Sequence, residues 1–227
     1  MRETLGVELL EKLRGGLIVS CQAPEGSPLD RPLVIAAMAA AAERAGAVAV
    51  RINGPDNVRA TRAAVRIPIL GIYKKRRPDY EVYITPAFED AREVRLAGAD
   101  LVALDATCRA DGSLIRRVSV ELGCPVMADI ATCAEGVAAA KAGAALVATT
   151  LCGYTRETSG RPLPALDLVQ ELAQMVTAGV VAEGGVALPE QLAEAFRRGA
   201  FAVVVGTAIS GLEALARRFA TALPKQV

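Results

Sequence analysis

The sequence predicts an α/β protein, a single (β/α)8 barrel of the TIM type with a short N-terminal helix. Short apolar runs rich in Val, Ile and Leu alternate eight times with longer segments of helical periodicity. Such runs are typical of parallel strands covered on both faces, and their regular alternation with helices is typical of βα units. Eight units with short connections favour a closed barrel. The 227 residues leave no linker, so 1–227 are predicted to form one domain.

The first helix is predicted over 3–14, where apolar side chains would cap the lower end of the barrel. The eight strands are predicted from the apolar runs at 15–23, 47–53, 68–74, 100–106, 125–130, 144–151, 180–184 and 201–207. An AGA or RGA tripeptide precedes the second, fourth, sixth and eighth of these runs. A glycine at that place ends the preceding helix before the chain enters the next strand.

Helix signals occupy the segments between these strands. Helices are predicted at 32–45, 56–66, 86–97, 113–122, 165–177 and 212–223, and two more begin after Thr132 and Leu188. Thr132 followed three residues later by Glu135 forms a capping-box pattern. Pro189 suits the first turn of its helix, where the missing N–H has no intrahelical partner in any case.

Composition narrows the function classes. The net charge of +1 argues against a nucleic-acid or anionic-membrane partner. The longest apolar run, 33–42, is too short to span a bilayer, and the N-terminus lacks the apolar core of a signal peptide. Five scattered cysteines without CxxC spacing disfavour zinc and a disulfide framework. We therefore expect a cytoplasmic protein without a metal ion.

The chain contains no histidine, so acid–base chemistry must fall to lysine or carboxylates. Active sites of such barrels lie at the C-terminal ends of the strands. The polar residues at those ends are Gln22, Arg51, Lys74, Asp105, Asp129, Thr149, Thr150 and Glu183. Lys74 follows an apolar strand and would enter a partly desolvated pocket, which lowers the pKa of an ammonium. Lys74 and Glu183 are therefore the predicted acid–base residues.

Glycines follow the seventh and eighth strands. Gly184 and Gly185 follow Glu183, and Gly206 and Thr207 end the AVVVGT run. Backbone N–H groups at these two loops form the usual phosphate site of this fold. The roles of Asp105 and Asp129 stay open at this point, because either could assist a Schiff base, bind a metal or bind a hydroxyl group.

Motifs along the whole chain resemble one family. They are LIVSCQA followed by EGSPL, PILGIYK followed by PDYEVYITP, DLVALDAT, ADIAT, TTLCGYT, VVAEGG with LPEQ, and AFAVVVGTAI. Together they are similar to the N-acylglucosamine-6-phosphate 2-epimerases, also called N-acetylmannosamine-6-phosphate 2-epimerases. The resemblance extends from Gly15 to Ile209. SCQA, GYT and ADIAT in this order are more specific than a general phosphate-binding barrel pattern.

The resemblance implies a cofactor-independent exchange between N-acetylmannosamine 6-phosphate and N-acetylglucosamine 6-phosphate, a step of sialic-acid catabolism. It assigns catalysis to Lys74 and Glu183, and substrate binding to Gln22, Arg51 and Asp129. Thr150, at the end of the sixth strand, is added as a substrate-binding candidate. In this hypothesis Glu183 assists ring opening, Lys74 moves the C2 proton, and Asp129 holds or tunes Lys74.

Three positions depart from the family pattern. Gly185 stands where a basic residue is frequent, SGLEALARR replaces an Arg-Pro pair after the eighth strand, and Cys152 precedes GYT. The cation that would accompany the phosphate is therefore open, and Lys75, Arg76 and Arg156 are the candidates.

Two other functions are compatible with the residues. One is another phosphosugar barrel enzyme, an isomerase or a lyase that forms a Schiff base on Lys74. The other is a sugar-phosphate binder without activity, although the presence of both Lys74 and Glu183 argues against it. The apolar helix at 212–223 could form part of a homodimer interface as readily as a barrel wall.

Overall fold

The computed structural model describes residues 2–75, 84–108 and 111–224, with side chains from Gly6 onward. Eight parallel strands pair in chain order, and the eighth pairs with the first to close the barrel. The strands are β1 (Leu17–Cys21), β2 (Ala49–Asn53), β3 (Ile69–Ile72), β4 (Leu101–Asp105), β5 (Val126–Asp129), β6 (Leu146–Ala148), β7 (Gly179–Ala182) and β8 (Ala202–Val205). The predicted (β/α)8 barrel with an N-terminal helix is confirmed.

Helices follow the strands as predicted. They are α1 (Arg2–Leu13), α2 (Pro32–Arg44), α3 (Pro55–Ala64), α4 (Phe88–Leu96), α5 (Ser113–Glu121), α6 (Cys133–Lys141), α7 (Leu166–Met175), α8 (Pro189–Arg197), α9 (Thr207–Ser210) and α10 (Leu212–Ala220). The capping box is present: the Thr132 hydroxyl accepts from the Glu135 N–H, and the Glu135 carboxylate accepts from the Thr132 N–H. Pro189 is the first residue of α8.

Strand alternation divides the apolar side chains into two layers. Ile18, Leu70 and Val181 point into the barrel, where Leu13 of α1 closes the lower end. Their strand neighbours, such as Val19 and Ile69, belong to the larger cluster that packs against the helices. Successive side chains of a strand point to opposite faces. The residues that share the parity of the inner layer therefore face the barrel mouth at the strand ends.

Several strands end earlier than predicted, the sixth by the largest margin. The sixth strand was expected over 144–151, but β6 ends at Ala148 and residues Thr149–Leu151 form a 3-10 turn. The Thr149 hydroxyl draws the chain out of the ladder, because it donates to the Glu183 carbonyl (2.9 Å) and accepts from the Glu183 N–H (3.1 Å).

The third strand was expected to end on Lys74, whereas β3 ends at Ile72. Lys74 forms an isolated antiparallel bridge with Ile84 instead. The eighth strand was expected over 201–207, whereas β8 ends at Val205 and the short helix α9 follows. The Ser210 hydroxyl of α9 donates to the Ser20 carbonyl at 2.6 Å, which ties this helix to β1. Within the residues that the structure describes, no helix is long and apolar enough to cross a membrane.

Candidate active site

The polar residues predicted at the strand ends gather at one end of the barrel. Arg51, Lys74, Asp129, Thr150 and Glu183 each lie an even number of residues beyond an inward-facing apolar residue of the same strand or its extension. The same parity places Ser20 and Gln22 of the first βα unit on the inner side. The register of the barrel therefore brings together side chains that are far apart in sequence.

A buried ion-paired cluster lies at the base of this site. Arg51 donates from Nη1 to Asp129 Oδ1 at 3.1 Å and from Nη2 to Asp129 Oδ2 at 2.7 Å. Its Nη1 also donates to Glu183 Oε2 at 2.6 Å. The Arg51 and Asp129 side chains are 1% and 0% exposed. The Thr150 hydroxyl donates to Asp129 Oδ1 at 2.6 Å, so one aspartate holds both the arginine and the threonine.

The electrostatics of the cluster differ from residue to residue. Burial lowers the pKa of Arg51, but the charges of Asp129 and Glu183 outweigh this effect and raise it, so the guanidinium stays charged. Burial, helped by the charge of Asp129, raises the pKa of Glu183 to about 7 against the opposing charge of Arg51. A carboxyl group with this pKa can both donate and accept a proton at neutral pH.

Lys74 stands above this cluster with its side chain accessible at the cavity mouth. The Asn53 side chain fixes the backbone by accepting from the Lys74 N–H at 2.9 Å. Nearby protein desolvates the ammonium and thereby lowers the pKa of Lys74. The charge of Arg51 lowers it further, whereas Glu183 and Asp129 oppose the shift. A larger fraction of Lys74 is therefore neutral at a given pH than for a solvated lysine.

A cavity of about 610 Å³ opens above these residues. Among the predicted site residues, its lining includes Lys74, Glu183, Thr150, Gly184, Gly185, Gly206 and Thr207. An adjoining cavity of about 290 Å³ is lined by Gln22, and it shares Ser20 and Lys74 with the first. The Gln22 Oε1 atom is buried and accepts no hydrogen bond within the described residues. Arg51 and Asp129 are not among the lining residues of either cavity and lie behind Glu183.

The two glycine loops form one wall of the larger cavity. Gly184 and Gly185 have φ values of 101° and 75°, a region that glycine occupies without steric cost. In the described part of the chain, the N–H groups of Gly184, Gly185, Gly206 and Thr207 donate to no acceptor. These groups are therefore free to bind an anionic ligand.

The structure adds residues that the sequence patterns did not single out. Ser20 lines both cavities, and its hydroxyl accepts from Gln22 Nε2 at 2.6 Å. Its signal was available, because Ser20 lies two residues before Gln22 and shares its parity in an otherwise apolar strand. Tyr154 and Arg218 also line the larger cavity. Tyr154 belongs to the GYT motif, whereas no sequence signal distinguishes Arg218 from Arg217.

The three candidate cations for the phosphate have different positions. Lys75 is engaged elsewhere, because its ammonium lies 2.8 Å from Asp90 and 4.0 Å from the centre of the Tyr73 ring. Arg76 lies outside the described residues. Arg156 does not line the cavity. Cys152, the third departure from the family pattern, is buried.

The family model described as "Putative N-acetylmannosamine-6-phosphate epimerase" matches residues 35–225. The chain belongs to this epimerase family. A relative from Thermosynechococcus vestitus, named "Putative N-acetylmannosamine-6-phosphate 2-epimerase", is 49% identical over 221 residues, which cover 96% of this chain and 97% of the relative. A relative of the same name from Synechococcus elongatus is 50% identical over 222 residues, covering 94% and 96%.

A solved member of the family has the same fold. The N-acetylmannosamine-6-phosphate 2-epimerase from Clostridium perfringens superposes with a TM-score of 0.88 at 35% identity, covering 95% of this chain and 96% of its own.

Within the described residues, no group of three or more Cys, Asp or Glu side chains could hold a metal ion.

Proposed function

We propose that this epimerase-family protein interconverts N-acetylmannosamine 6-phosphate and N-acetylglucosamine 6-phosphate by removing and replacing the C2 proton. One observation carries the proposal. A lysine of lowered pKa and a carboxyl group whose pKa is about 7 share a 610 Å³ cavity with a wall of free backbone N–H groups. This combination supplies a base, an acid and an anion site in one pocket.

Ring opening comes first in this mechanism. The C2–H bond of the sugar is acidic only beside a C1 aldehyde, which the closed ring lacks. Glu183 in its carboxylate form accepts the proton of the C1 hydroxyl, and in its acid form it donates a proton to the ring oxygen. The pKa of about 7 makes both forms available at neutral pH.

Inversion at C2 follows. Neutral Lys74 takes the C2 proton, and the electron pair of the broken C–H bond forms the C1–C2 double bond of an enolate. After the intermediate turns, the lysine ammonium returns a proton to the opposite face of C2, which restores the aldehyde. Attachment of the phosphate at the glycine loops keeps the intermediate in the cavity during the turn.

The remaining candidates support this chemistry. Gln22 and Thr150 would bind substrate oxygen or nitrogen atoms, because they line the two connected cavities. Arg51 and Asp129 act as positioning residues, because their ion pair holds Glu183 from below and the charge of Arg51 lowers the pKa of Lys74. Asp129 influences Lys74 through its charge, while its hydrogen bonds go to Arg51 and Thr150.

Proton NMR of the protein with N-acetylmannosamine 6-phosphate in deuterated water tests the proposal. We expect signals of N-acetylglucosamine 6-phosphate, with deuterium at C2 wherever the lysine proton exchanges with solvent. Retention of the original proton in the epimerised product would indicate direct return by Lys74. Absence of any new sugar while the ligand still binds would refute the reaction. A covalent adduct trapped by borohydride would replace it with Schiff-base chemistry.

We further propose that residues 1–227 form one domain that works in the cytoplasm as a homodimer and without a cofactor or metal. Among the described residues, none of the five cysteines forms a disulfide, which supports a reducing compartment. Ile209, Leu212 and Phe219 of α9 and α10 are exposed apolar residues and support an interface there. Sedimentation velocity measures the oligomeric state, and a concentration-independent monomer would contradict the dimer.

A further inference from the structure

One face of α10 lines the larger cavity. Its residues Ala214, Leu215 and Arg218 lie on the wall that adjoins Gly206 and Thr207. The spacing of Ala214 and Leu215 from Arg218, four and three residues, places them on one side of a helix. Arg217, the residue immediately before Arg218, does not line the cavity. Of these two adjacent arginines of α10, therefore, Arg218 lines the cavity and Arg217 does not.

The first turn of α10 is held in place above the loop after β8. The Ser27 hydroxyl of the β1–α2 loop donates to the Glu213 carboxylate. Gly211 precedes α10, and its N–H donates to the Thr207 carbonyl at 3.0 Å. These contacts connect the start of α10 to both neighbouring loops, and Arg218 lies further along the same helix at the cavity edge.

The charge of Arg218 is uncompensated. Its guanidinium forms no ion pair or hydrogen bond with any other residue that the structure describes, and the residue is exposed. Arg51, by contrast, is neutralised by two carboxylates and does not line the cavity. Among the described residues that line the cavity, Arg218 is the cation apart from Lys74, and Glu183 is the acid.

A phosphate dianion at the glycine loops needs such a cation. Backbone N–H groups donate hydrogen bonds but carry no net charge, whereas a guanidinium supplies a charge and two parallel donors. Gly185 in the first loop and Gly211, which follows α9, have no room for a cationic side chain. A Cβ atom at Gly185 would lie 2.5 Å from Leu163 Cβ, and one at Gly211 would lie 2.7 Å from the Thr207 carbonyl oxygen. Neither of these two positions can therefore carry the cation, whereas α10 presents one at the cavity edge.

We propose that Arg218 binds the phosphate of the substrate and sets the preference for the phosphorylated over the free sugar. This inference rests on the proposed function, because it identifies the cationic partner in the same site. Two N–H groups of the guanidinium donate to two phosphate oxygens, and the glycine-loop N–H groups bind from the opposite side. The sugar then extends from this corner towards Lys74 and Glu183.

Arg218→Gln tests the inference, with Arg217→Gln as the matched control on the same exposed helix. KM and kcat are measured with N-acetylmannosamine 6-phosphate, and Kd is measured calorimetrically with N-acetylglucosamine 6-phosphate and with inorganic phosphate. We expect Arg218→Gln to raise KM and both Kd values by about 10- to 100-fold while kcat changes little. Arg217→Gln should leave all of these within about 2-fold, and Arg218→Lys should recover part of the affinity.

Binding of unphosphorylated N-acetylmannosamine separates the phosphate contact from damage to the pocket. Its Kd should be equal in the wild type and Arg218→Gln. An unchanged Kd for the sugar phosphate in Arg218→Gln, or an equal loss for the free sugar, would overturn the inference. A wild type that binds the sugar phosphate without epimerising it would refute the reaction alone, and the Kd comparison would still test Arg218. Failure of the wild type to bind any phosphate would overturn both.

Discussion

Arg51 crosses the barrel mouth from β2 to meet Asp129 at the end of β5 with two hydrogen bonds of 3.1 and 2.7 Å. Both side chains are buried, and the same guanidinium continues to Glu183 at 2.6 Å. The charge of Arg51 helps to lower the pKa of Lys74, and Asp129 and Glu183 hold that charge in place. Stability and the proposed catalysis would therefore depend on the same cluster.

Asp129→Ala should lower the free energy of unfolding by about 3–5 kcal/mol, because it leaves a buried arginine short of its main partner. Urea denaturation followed by circular dichroism measures the loss. The control is Asp56→Ala, which removes a 2.6 Å ion pair with Arg59 whose side chains are 66% and 79% exposed. That pair should be worth less than about 1 kcal/mol. Similar losses for the two variants would contradict the importance of burial.

Glu183→Gln should change stability in a pH-dependent way. The pKa of Glu183 is raised from 4.5 to about 7, so between these values the native state keeps a proton that the unfolded chain has released. Wild-type stability therefore falls as the pH rises through this window, and the cost of the charge is complete above about pH 7. The Glu183→Gln variant carries no charge at this position, so above about pH 7 it should be more stable than the wild type by on the order of 3 kcal/mol.

Thermal unfolding of both proteins from about pH 4 to about pH 9 measures this difference. The gap should close towards low pH, where the carboxyl group is protonated in both states. Glu89→Gln, which makes the same substitution at an exposed position of α4, is the control. A constant gap for Glu183→Gln across the range would contradict the raised pKa.

Lys74→Ala should reduce epimerisation by about 10²- to 10⁴-fold, the usual contribution of a general base. The Kd for N-acetylglucosamine 6-phosphate should change much less, because the phosphate corner stays intact. In the wild type, kcat/KM should rise with pH as Lys74 loses its proton, at lower pH than for an ordinary lysine. Deuterium incorporation at C2 that persists in Lys74→Ala would assign proton removal to another residue.

The barrel could be predicted from sequence because its signals are local. The apolar runs, the glycines that end helices and the Thr132–Glu135 capping box each depend on residues within a few positions of one another. Strand parity extends this reasoning to the site, since residues at even spacing from inward-facing apolar residues had to meet at the mouth. Lys74, Thr150 and Glu183 can therefore be identified as candidates from the sequence.

The features that local patterns do not predict depend on contacts between distant residues. The early end of β6 follows from hydrogen bonds between Thr149 and Glu183, 34 positions apart. The start of α10 is held by the hydrogen bond between Ser27 and Glu213, which are 186 positions apart. Periodicity within α10 predicts a helix but not its direction over the cavity.

Gly185→Ala should lower stability and phosphate affinity together. Its φ of +75° is unfavourable for alanine, and the new Cβ would lie 2.5 Å from Leu163 Cβ, with backbone atoms of Leu163 and Pro164 at 3.4 Å. Because Leu163 Cβ is attached directly to the backbone, the loop must shift. We expect a loss of about 2–4 kcal/mol in the free energy of unfolding and a higher Kd for N-acetylglucosamine 6-phosphate.

Gly26→Ala is the control, since φ is +80° there and no atom lies within 4 Å of the added Cβ. It should cost about 1 kcal/mol and leave Kd unchanged, whereas equal losses at the two positions would show that backbone strain alone determines the effect.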